Sequence, residues 1–298
     1  MKKLLSLALA AAMCLSLAAC GNGGATPPAS QSSQSSQFNP SNSSDIGVIG
    51  GGDTSTEIVT TDSDLAYVQN KGTLIVGMTD FAPMDYKADG SDEWIGFDAD
   101  MARAFAESLG VQVEFLELAD WDAKSMELDT KAIDVVWNGM TLTDDVKTLM
   151  STSEPYCLNG QVVVVNQDVA DQFQTVESLS ALNFAVENGS AGAKQLDALN
   201  ISYTAMQNQA AALMEVASGA SDAAVIDRLM AGAMIGEGTS YPNLTYTVQL
   251  NDEEYGVGFR KGSDLTEAFN SWWKEAYDAG TVMEVAKTYG VQESVIEK

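Results

Sequence analysis

Histidine is absent from the sequence of 298 residues. A Ser-His-Asp or Cys-His arrangement would therefore lack its base, and a metal site built on imidazole nitrogens would lack its ligands. These exclusions remove most hydrolase mechanisms and a large class of metal sites. They favour a protein whose function depends on acids, amides, hydroxyls and aromatic rings.

Basic residues are also scarce. The chain has 15 Lys and Arg against 42 Asp and Glu, which gives a formal net charge of −27 at pH 7. Because such a surface repels phosphate backbones, a nucleic acid is not an expected partner. Hydrophobic residues make up 45% of the chain, which is enough to form a packed core.

The N-terminal segment has the features of a signal peptide. Lys2 and Lys3 precede an apolar run that is short for a bilayer span, which predicts a signal peptide at 1–19. The sequence Leu17-Ala18-Ala19-Cys20 resembles the lipobox of bacterial lipoproteins, in which Cys20 carries the lipid. An ordinary cleavage site with an incidental cysteine is the alternative.

Residues 20–61 are mostly Ser, Gln, Gly, Asn, Thr and Pro, a composition that predicts a flexible tether. Cys14 would leave with the signal peptide, and Cys20 would be lipidated. Cys157 would then have no intramolecular disulfide partner, and it is expected to be a small buried hydrophobic residue.

Beyond the tether, two stretches share one order of predicted elements, β-α-β-α-β. The first has strands at 73–78, 111–118 and 133–137, with helices at 97–106 and 122–131. The second has strands at 183–186, 201–204 and 222–226, with helices at 191–199 and 209–218. Strands at 244–249 and 255–259 and helices at 265–278 and 282–289 follow. This order predicts an α/β fold of two lobes, each a mostly parallel sheet flanked by helices.

We assign the C-terminal helices to the first lobe, which would otherwise be the smaller one. The predicted limits are 62–157 with 254–298 for lobe 1, and 158–253 for lobe 2. The chain would then cross between the lobes twice, near 157–160 and near 251–256. Two crossings of this kind make a hinge.

The stretch WNGMTLTDDVK, at 137–147, is predicted to be a loop that follows the third strand of lobe 1. In such sheets, ligands bind beyond the carboxyl ends of the parallel strands, where loops and helix N-termini collect. The amide and hydroxyl groups of this stretch therefore make it a candidate binding segment. Trp137 itself is expected to lie in the core.

Several motifs spread over residues 65–292 together resemble one family. They are GTLIVGMTDFAPMDY, GFDADMARAFAESLG, AIDVVWNGMTLT, SEPY, NFAVENGSAG, GASDAAVID, EYGVGFRKGSDL and AGTVMEVAKTYG. In this order and spacing, the chain resembles the extracellular solute-binding proteins of polar amino-acid ABC importers, which have the type II periplasmic-binding-protein fold.

The resemblance implies a monomer, lipid-anchored at the extracellular face of the bacterial cell membrane, that captures a polar amino acid and delivers it to an ABC permease. It implies no enzymatic activity, metal or cofactor. Three alternatives stay open: a receptor for a cationic amine or another solute that is not an α-amino acid, a dehydratase-like enzyme on the same fold, and a sensory or structural lipoprotein without a permease.

The resemblance also implies roles for particular residues. Phe81, just after Asp80, and Trp121 would sandwich the ligand side chain, with core or lobe packing as the alternative. Asp227 would receive the ligand α-ammonium, and the N-terminus of the helix after Ser190 would face a carboxylate. N-capping is the alternative for Asp227 and a compatible role for Ser190. The predicted ligand-binding residues are Asp80, Phe81, Trp121, Asn138, Gly139, Met140, Thr141, Ser190, Ala191 and Asp227.

The chain departs from the family pattern at one position. Relatives usually have an arginine that grips the ligand α-carboxylate where this chain has Val146. Lys147 is a possible substitute, and the helix N-terminus at Ser190 and Ala191 is another. The third possibility is a ligand without an α-carboxylate, because Asp80, Asp144, Asp145, Glu187 and Asp227 favour a cation. An acidic amino acid is the least expected ligand.

Overall fold

The computed structural model describes residues 63–88 and 90–298. The predicted signal peptide at 1–19, the lipidated Cys20 and the tether at 20–61 lie outside the described residues. Within the described ranges, no helix combines the length and the apolar character needed to cross a bilayer.

The described residues form both helices and strands. The strands are β1 (Thr73–Met78), β2 (Tyr86–Lys87), β3 (Trp94–Ile95), β4 (Gln112–Glu117), β5 (Val135–Thr141), β6 (Ser151–Thr152), β7 (Cys157–Asn159), β8 (Gln161–Asn166), β9 (Phe184–Glu187), β10 (Tyr203–Met206), β11 (Ala223–Asp227), β12 (Leu244–Gln249) and β13 (Glu253–Phe259). The helices are α1 (Asp64–Lys71), α2 (Phe97–Ser108), α3 (Lys124–Asp129), α4 (Asp144–Leu149), α5 (Ala191–Ala198), α6 (Gln209–Ser218), α7 (Arg228–Met234), α8 (Leu265–Asp278) and α9 (Thr281–Thr288). Short 3-10 helices occur at Trp121–Ala123, Gln167–Gln172 and Val176–Ala181.

The first sheet has the strand order β4-β1-β5-β13-β6, with β7 also paired to β13. The strands β4, β1 and β5 are parallel, whereas β13 runs antiparallel to β5. The second sheet has the order β10-β9-β11-β8-β12, in which the first three strands are parallel. Each sheet thus joins three parallel strands to antiparallel ones.

The strand β8 was not predicted from the sequence, although it lies between β11 and β12 in the second sheet. Its valines Val162 to Val165 are fully buried. Such a continuous apolar run is typical of a strand covered on both faces. It escaped prediction because it precedes the repeated β-α-β-α-β order.

The chain passes between the two sheets at Gly160 and again between Leu250 and Asp252. The two passages lie side by side, because β7 pairs with the beginning of β13, Asn159 opposite Glu253. A Cβ atom on Gly160 would lie 2.5 Å from the carbonyl oxygen of Asn251. Only glycine fits this close approach of two backbones.

The predicted loop at 137–147 is wrong except at Leu142 and Thr143. Asn138 to Thr141 continue β5, and α4 begins soon after, at Asp144. The physical reason is a partner that is distant in sequence: Thr141 and Met140 pair with Tyr255 and Gly256 of β13. That pairing satisfies the backbone of a segment that looked like a loop by composition.

An aromatic cluster forms the core beneath the first sheet. Trp137, expected in the core, is fully buried, and its ring lies 5.0 Å from that of Phe269 and 6.1 Å from that of Trp273. The latter two residues come from α8, which packs against β13 and α2. Cys157 is buried as predicted. The C-terminal helices therefore complete the core on which β5 and its site residues rest.

Candidate functional site

A cavity of about 380 Å³, called here the central cavity, is lined by residues from both sheets and their helices. The side of the first sheet contributes β5, α3 and α4, and the side of the second contributes β9, β11, α5 and α6. Eight of the predicted binding residues line it: Trp121, Asn138, Gly139, Met140, Thr141, Ser190, Ala191 and Asp227. The structure therefore brings together residues that are far apart in sequence, from Trp121 to Asp227.

Three predicted residues lie away from the central cavity. Phe81 is 2% exposed and packs edge-on against Tyr255, with 6.3 Å between ring centroids. Asp80 is half-buried and borders a separate recess beside Lys87. Burial, followed by the charge of Glu117, raises the pKa of Asp80. Lys147 is exposed on α4 and is not a lining residue of this cavity.

Asn138 joins β5 to the segment that follows β1. Its amide oxygen accepts hydrogen bonds from the backbone N–H of Thr79 at 3.0 Å and from the Thr79 hydroxyl at 2.9 Å. Its amide nitrogen donates to the Thr79 carbonyl at 3.0 Å and to Asp85 at 2.8 Å. These bonds use both ends of the amide, so Asn138 fixes the cavity wall in position.

Gly139 adopts a left-handed conformation with φ +56°. Its backbone N–H donates to Asp98 Oδ2 at 2.6 Å, and the Tyr156 hydroxyl donates to the same oxygen at 2.7 Å. Burial raises the pKa of Asp98 to about 7. In this structure the N–H of Gly139 is thus bound to a carboxylate behind the cavity wall.

Asp227 ends β11 and is 4% exposed. Its carboxylate accepts hydrogen bonds from Asn159, from Gln161 at 3.0 Å, from Gln209, and from the Tyr255 hydroxyl at 2.7 Å. Although Asp227 occupies the N-cap position of α7, its side chain makes no capping hydrogen bond in the described part of the chain. The carboxylate is therefore directed into a polar network.

A second carboxylate lies beside Asp227. Glu253 accepts hydrogen bonds from the same Asn159 and Gln161 amides, each at 2.7 Å. Burial, followed by the charge of Glu253, raises the pKa of Asp227 well above its ordinary value. All four donors to Asp227 are neutral, so its charge lacks a cationic partner among residues 63–88 and 90–298.

The N-terminus of α5 faces the central cavity. Ser190 is its N-cap, and the Ser190 hydroxyl accepts a hydrogen bond from the Ala193 N–H at 3.1 Å. The capping role is thus confirmed. The earlier N–H groups of the first turn have no partner within the helix and carry its positive dipole end. This end of α5 is suited to an anionic group.

The lining residues that sequence reasoning missed include Lys124, Lys194 and Gln209. Lys124 is 7% exposed and donates to the Trp121 carbonyl at 3.0 Å. Gln209 donates to Asp227 and accepts from its backbone N–H at 2.8 Å. A usable signal existed, because lysine is scarce in this chain and Lys124 closely follows the predicted ligand residue Trp121.

Further side-chain contacts join the two sides of the cavity, in addition to those that Tyr255 and Asn159 of the first sheet make with Asp227. Lys194 of α5 forms an ion pair of 2.6 Å with Asp145 of α4. Asn188 donates to Asp120 at 3.0 Å, and the Thr79 hydroxyl lies 3.2 Å from Glu187. Burial raises the pKa of Glu187 to about 7. These contacts close the central cavity around its polar lining.

Comparison with known proteins places this geometry in a family. Residues 74–292 match the family model of bacterial extracellular solute-binding proteins, family 3. The arginine-binding extracellular protein ArtP of Bacillus subtilis is 28% identical over 226 residues, which cover 74% of this chain and 86% of ArtP.

Two solved structures share the fold. A mutant of ArgBP from T. maritima superposes with a TM-score of 0.71 at 30% identity, covering 76% of this chain and 98% of that one. The ancestral amino acid-binding protein AncCDT-1, a precursor of cyclohexadienyl dehydratase, superposes with a TM-score of 0.69 at 31% identity, covering 76% of this chain and 99% of that one. The architecture is the type II periplasmic-binding-protein fold, which confirms the predicted fold class. The chain belongs to the bacterial extracellular solute-binding proteins, family 3.

Proposed function

We propose that this protein binds a polar amino acid in the central cavity and delivers it to an ABC permease. The observation that carries the proposal is the pairing of two opposite features in one cavity. Asp227 offers a buried carboxylate surrounded by neutral donors, and the N-terminus of α5 offers a positive dipole end. An amino-acid zwitterion would place its ammonium group at Asp227 and its carboxylate at the N-terminus of α5.

A neutral or basic side chain fits the lining best. The cavity contains four carboxylates, those of Asp122, Asp145, Glu187 and Asp227. A ligand with a further carboxylate would meet repulsion from this set, whereas a cation would be attracted. The arginine named for ArtP makes L-arginine the first solute to test. A cationic amine without a carboxylate is the alternative within the same site.

We further propose that the two sheets belong to two lobes, close to the predicted 62–157 with 254–298 and 158–253. The pairing of β7 with β13 moves Leu158, Asn159 and Glu253 to the first lobe, so the lobes would move about the paired passages at Gly160 and Asn251. Closing of the lobes would assemble the cavity from its two sides. Cys20 would carry a lipid that holds a monomer at the extracellular face of the bacterial cell membrane.

Binding without turnover distinguishes this function from the dehydratase-like alternative. That alternative is worth testing because the similar protein AncCDT-1 is a precursor of a dehydratase. The purified full chain would be heated with each of the twenty amino acids at millimolar concentration. A ligand at 100 times its dissociation constant should stabilise the folded state by about 2.7 kcal/mol. Product analysis of the same mixtures should show the solute unchanged.

The proposal fails if no amino acid raises the unfolding temperature. Stabilisation by a cationic amine alone would identify the alternative receptor. Consumption of a cyclic dicarboxylic acid would favour the enzyme.

A further inference from the structure

Lys124 is a buried cation in the wall of the central cavity. Its side chain is 7% exposed, and its ammonium lies 4.8 Å from the centre of the Trp121 ring. The ammonium has three N–H donors, and one of them is used by the Trp121 carbonyl at 3.0 Å. No carboxylate oxygen of residues 63–88 and 90–298 lies within 4.0 Å of it.

A buried charge without a partner is costly, and folded proteins normally pair it. The cost is visible here, because burial lowers the pKa of Lys124 to about 8 despite the nearby charge of Glu187. Replacing buried charged residues by well-packed apolar ones is often neutral for stability or increases it, so stability alone does not require a lysine here. An unpaired ammonium that lines a cavity is instead suited to an anion supplied by a ligand.

The other lysines near the site are less suited to this role. Lys194 is already paired with Asp145 at 2.6 Å, and its side chain is 41% exposed. Lys147 is exposed on α4 and does not line the central cavity. Among the described residues, Lys124 is therefore the lysine that is buried and still has N–H donors available for a ligand.

The N-terminus of α5 borders the same cavity through Ser190 and Ala191. A carboxylate held by the Lys124 ammonium would thus also meet the positive end of a helix dipole.

We propose that Lys124 binds the carboxylate of the ligand and so restricts the site to solutes that carry one. This inference rests on the proposed receptor function and names the residue that sets its ligand class. The ligand's ammonium group would then lie beside Asp227, the acidic residue that lines the same cavity.

The test compares an amino acid with its α-amide, which keeps the ammonium and the side chain but removes the negative charge. The probes are L-arginine against L-argininamide and L-histidine against L-histidinamide, measured by calorimetry on the full chain. In the unmodified protein, the acid should bind about 10- to 150-fold more tightly than the amide, the range for a hydrogen bond to a charged group. In Lys124→Met the affinity for the acid should fall until it nearly equals the affinity for the amide.

Further variants separate this role from a structural one. Lys124→Arg keeps the charge and should keep most of the preference for the acid. Lys274→Met removes an exposed lysine of α8, 62% exposed and paired with Asp278, and should leave both affinities unchanged. Thermal unfolding would show that Lys124→Met is folded, as expected when a buried unpaired charge is removed.

The outcomes are distinguishable. Equal binding of acid and amide by the unmodified protein would overturn the inference while the receptor function stands. A preference for the acid that persists in Lys124→Met, or that is lost in Lys147→Met or Lys194→Met instead, would also overturn it. Absence of binding for every amino acid would overturn the receptor function and this inference together.

Discussion

Asp227 sits at the centre of a hydrogen-bond network that an amide cannot reproduce. Three of its four donors are side-chain amides and the fourth is the Tyr255 hydroxyl. In Asp227→Asn the site would lose the carboxyl group that becomes negatively charged when the ligand ammonium binds beside it. We expect amino-acid affinity to fall by about 1.5–3 kcal/mol, the range for a hydrogen bond to a charged group. Calorimetry measures the change.

The matched control is Asp222→Asn, because Asp222 is bonded to Asn183 at the opposite end of β11 from Asp227. That variant should retain the affinity of the unmodified protein. Equal affinities for all three proteins would remove Asp227 from the binding site.

Lys124 should make ligand binding depend on pH. Its pKa is lowered to about 8 by burial, and a bound carboxylate would raise it again by stabilising the charged form. Below pH 8 the ammonium is present, whereas above it the free protein must gain a proton before it binds. Affinity should therefore fall by up to about tenfold per pH unit above 8.

Calorimetry from pH 6 to pH 10 measures this dependence. The ligand's own α-ammonium also titrates in this range, so the informative quantity is the difference between the unmodified protein and Lys124→Met. Identical pH profiles for the two proteins would contradict the prediction.

At the scale of elements, the strand β5 depends on one glycine. Gly139 has φ +56°, and a Cβ atom there would lie 2.5 Å from Phe81 Cε1. In Gly139→Ala the left-handed conformation costs about 1–2 kcal/mol, and the collision with a buried ring costs about 1–3 kcal/mol more. Denaturant unfolding should show that the free energy of unfolding falls by about the sum of these two costs.

Gly219→Ala is the control for this variant. Gly219 ends α6 with φ +77°, and a Cβ atom there would meet no atom within 4 Å. Gly219→Ala should therefore lose only the free energy of unfolding that the left-handed conformation costs, about 1–2 kcal/mol. Equal losses in the two variants would mean that Phe81 yields to the new methyl group and does not hold β5 rigidly.

For the whole molecule, several buried carboxyls make stability depend on pH. Burial raises the pKa of Asp98 and of Glu187 to about 7, and it raises the pKa of Asp85 and Asp227 well above the ordinary value. A carboxyl whose pKa is raised in the folded state stabilises that state below its unfolded pKa, and the contribution is lost as pH rises through the folded pKa. The unliganded protein should therefore lose free energy of unfolding as pH rises from about 4, the ordinary pKa of a carboxyl, to about 7, the folded pKa of Asp98 and Glu187.

Denaturant titrations at a series of pH values test this dependence. Glu187→Gln should flatten the curve near pH 7, because its amide no longer titrates. A free energy of unfolding that increases over this interval would contradict the expectation, since it would mean that these carboxyls are charged and paired in the folded state.

The order of most helices and strands could be predicted from the sequence, because the spacing of apolar residues favours one or the other locally. The helices at 209–218 and 265–278 and the strand at 244–249 have the predicted bounds. The sequence also indicated eight residues that line the central cavity, since ligand sites follow the carboxyl ends of parallel strands. Ser190 could be recognised as an N-cap from its place before a helix.

Which of those groups are free to bind a ligand depends on contacts that form only in the folded chain. The N–H of Gly139 and both ends of the Asn138 amide are bound to partners far away in sequence. Likewise, β13 turns the expected loop at 138–141 into strand, because its pairing comes from residues more than a hundred positions later. The burial of Lys124 without a carboxylate partner among the described residues depends on the packing of both sides of the cavity. Partners and desolvation are set by the folded chain as a whole, so local sequence cannot specify them.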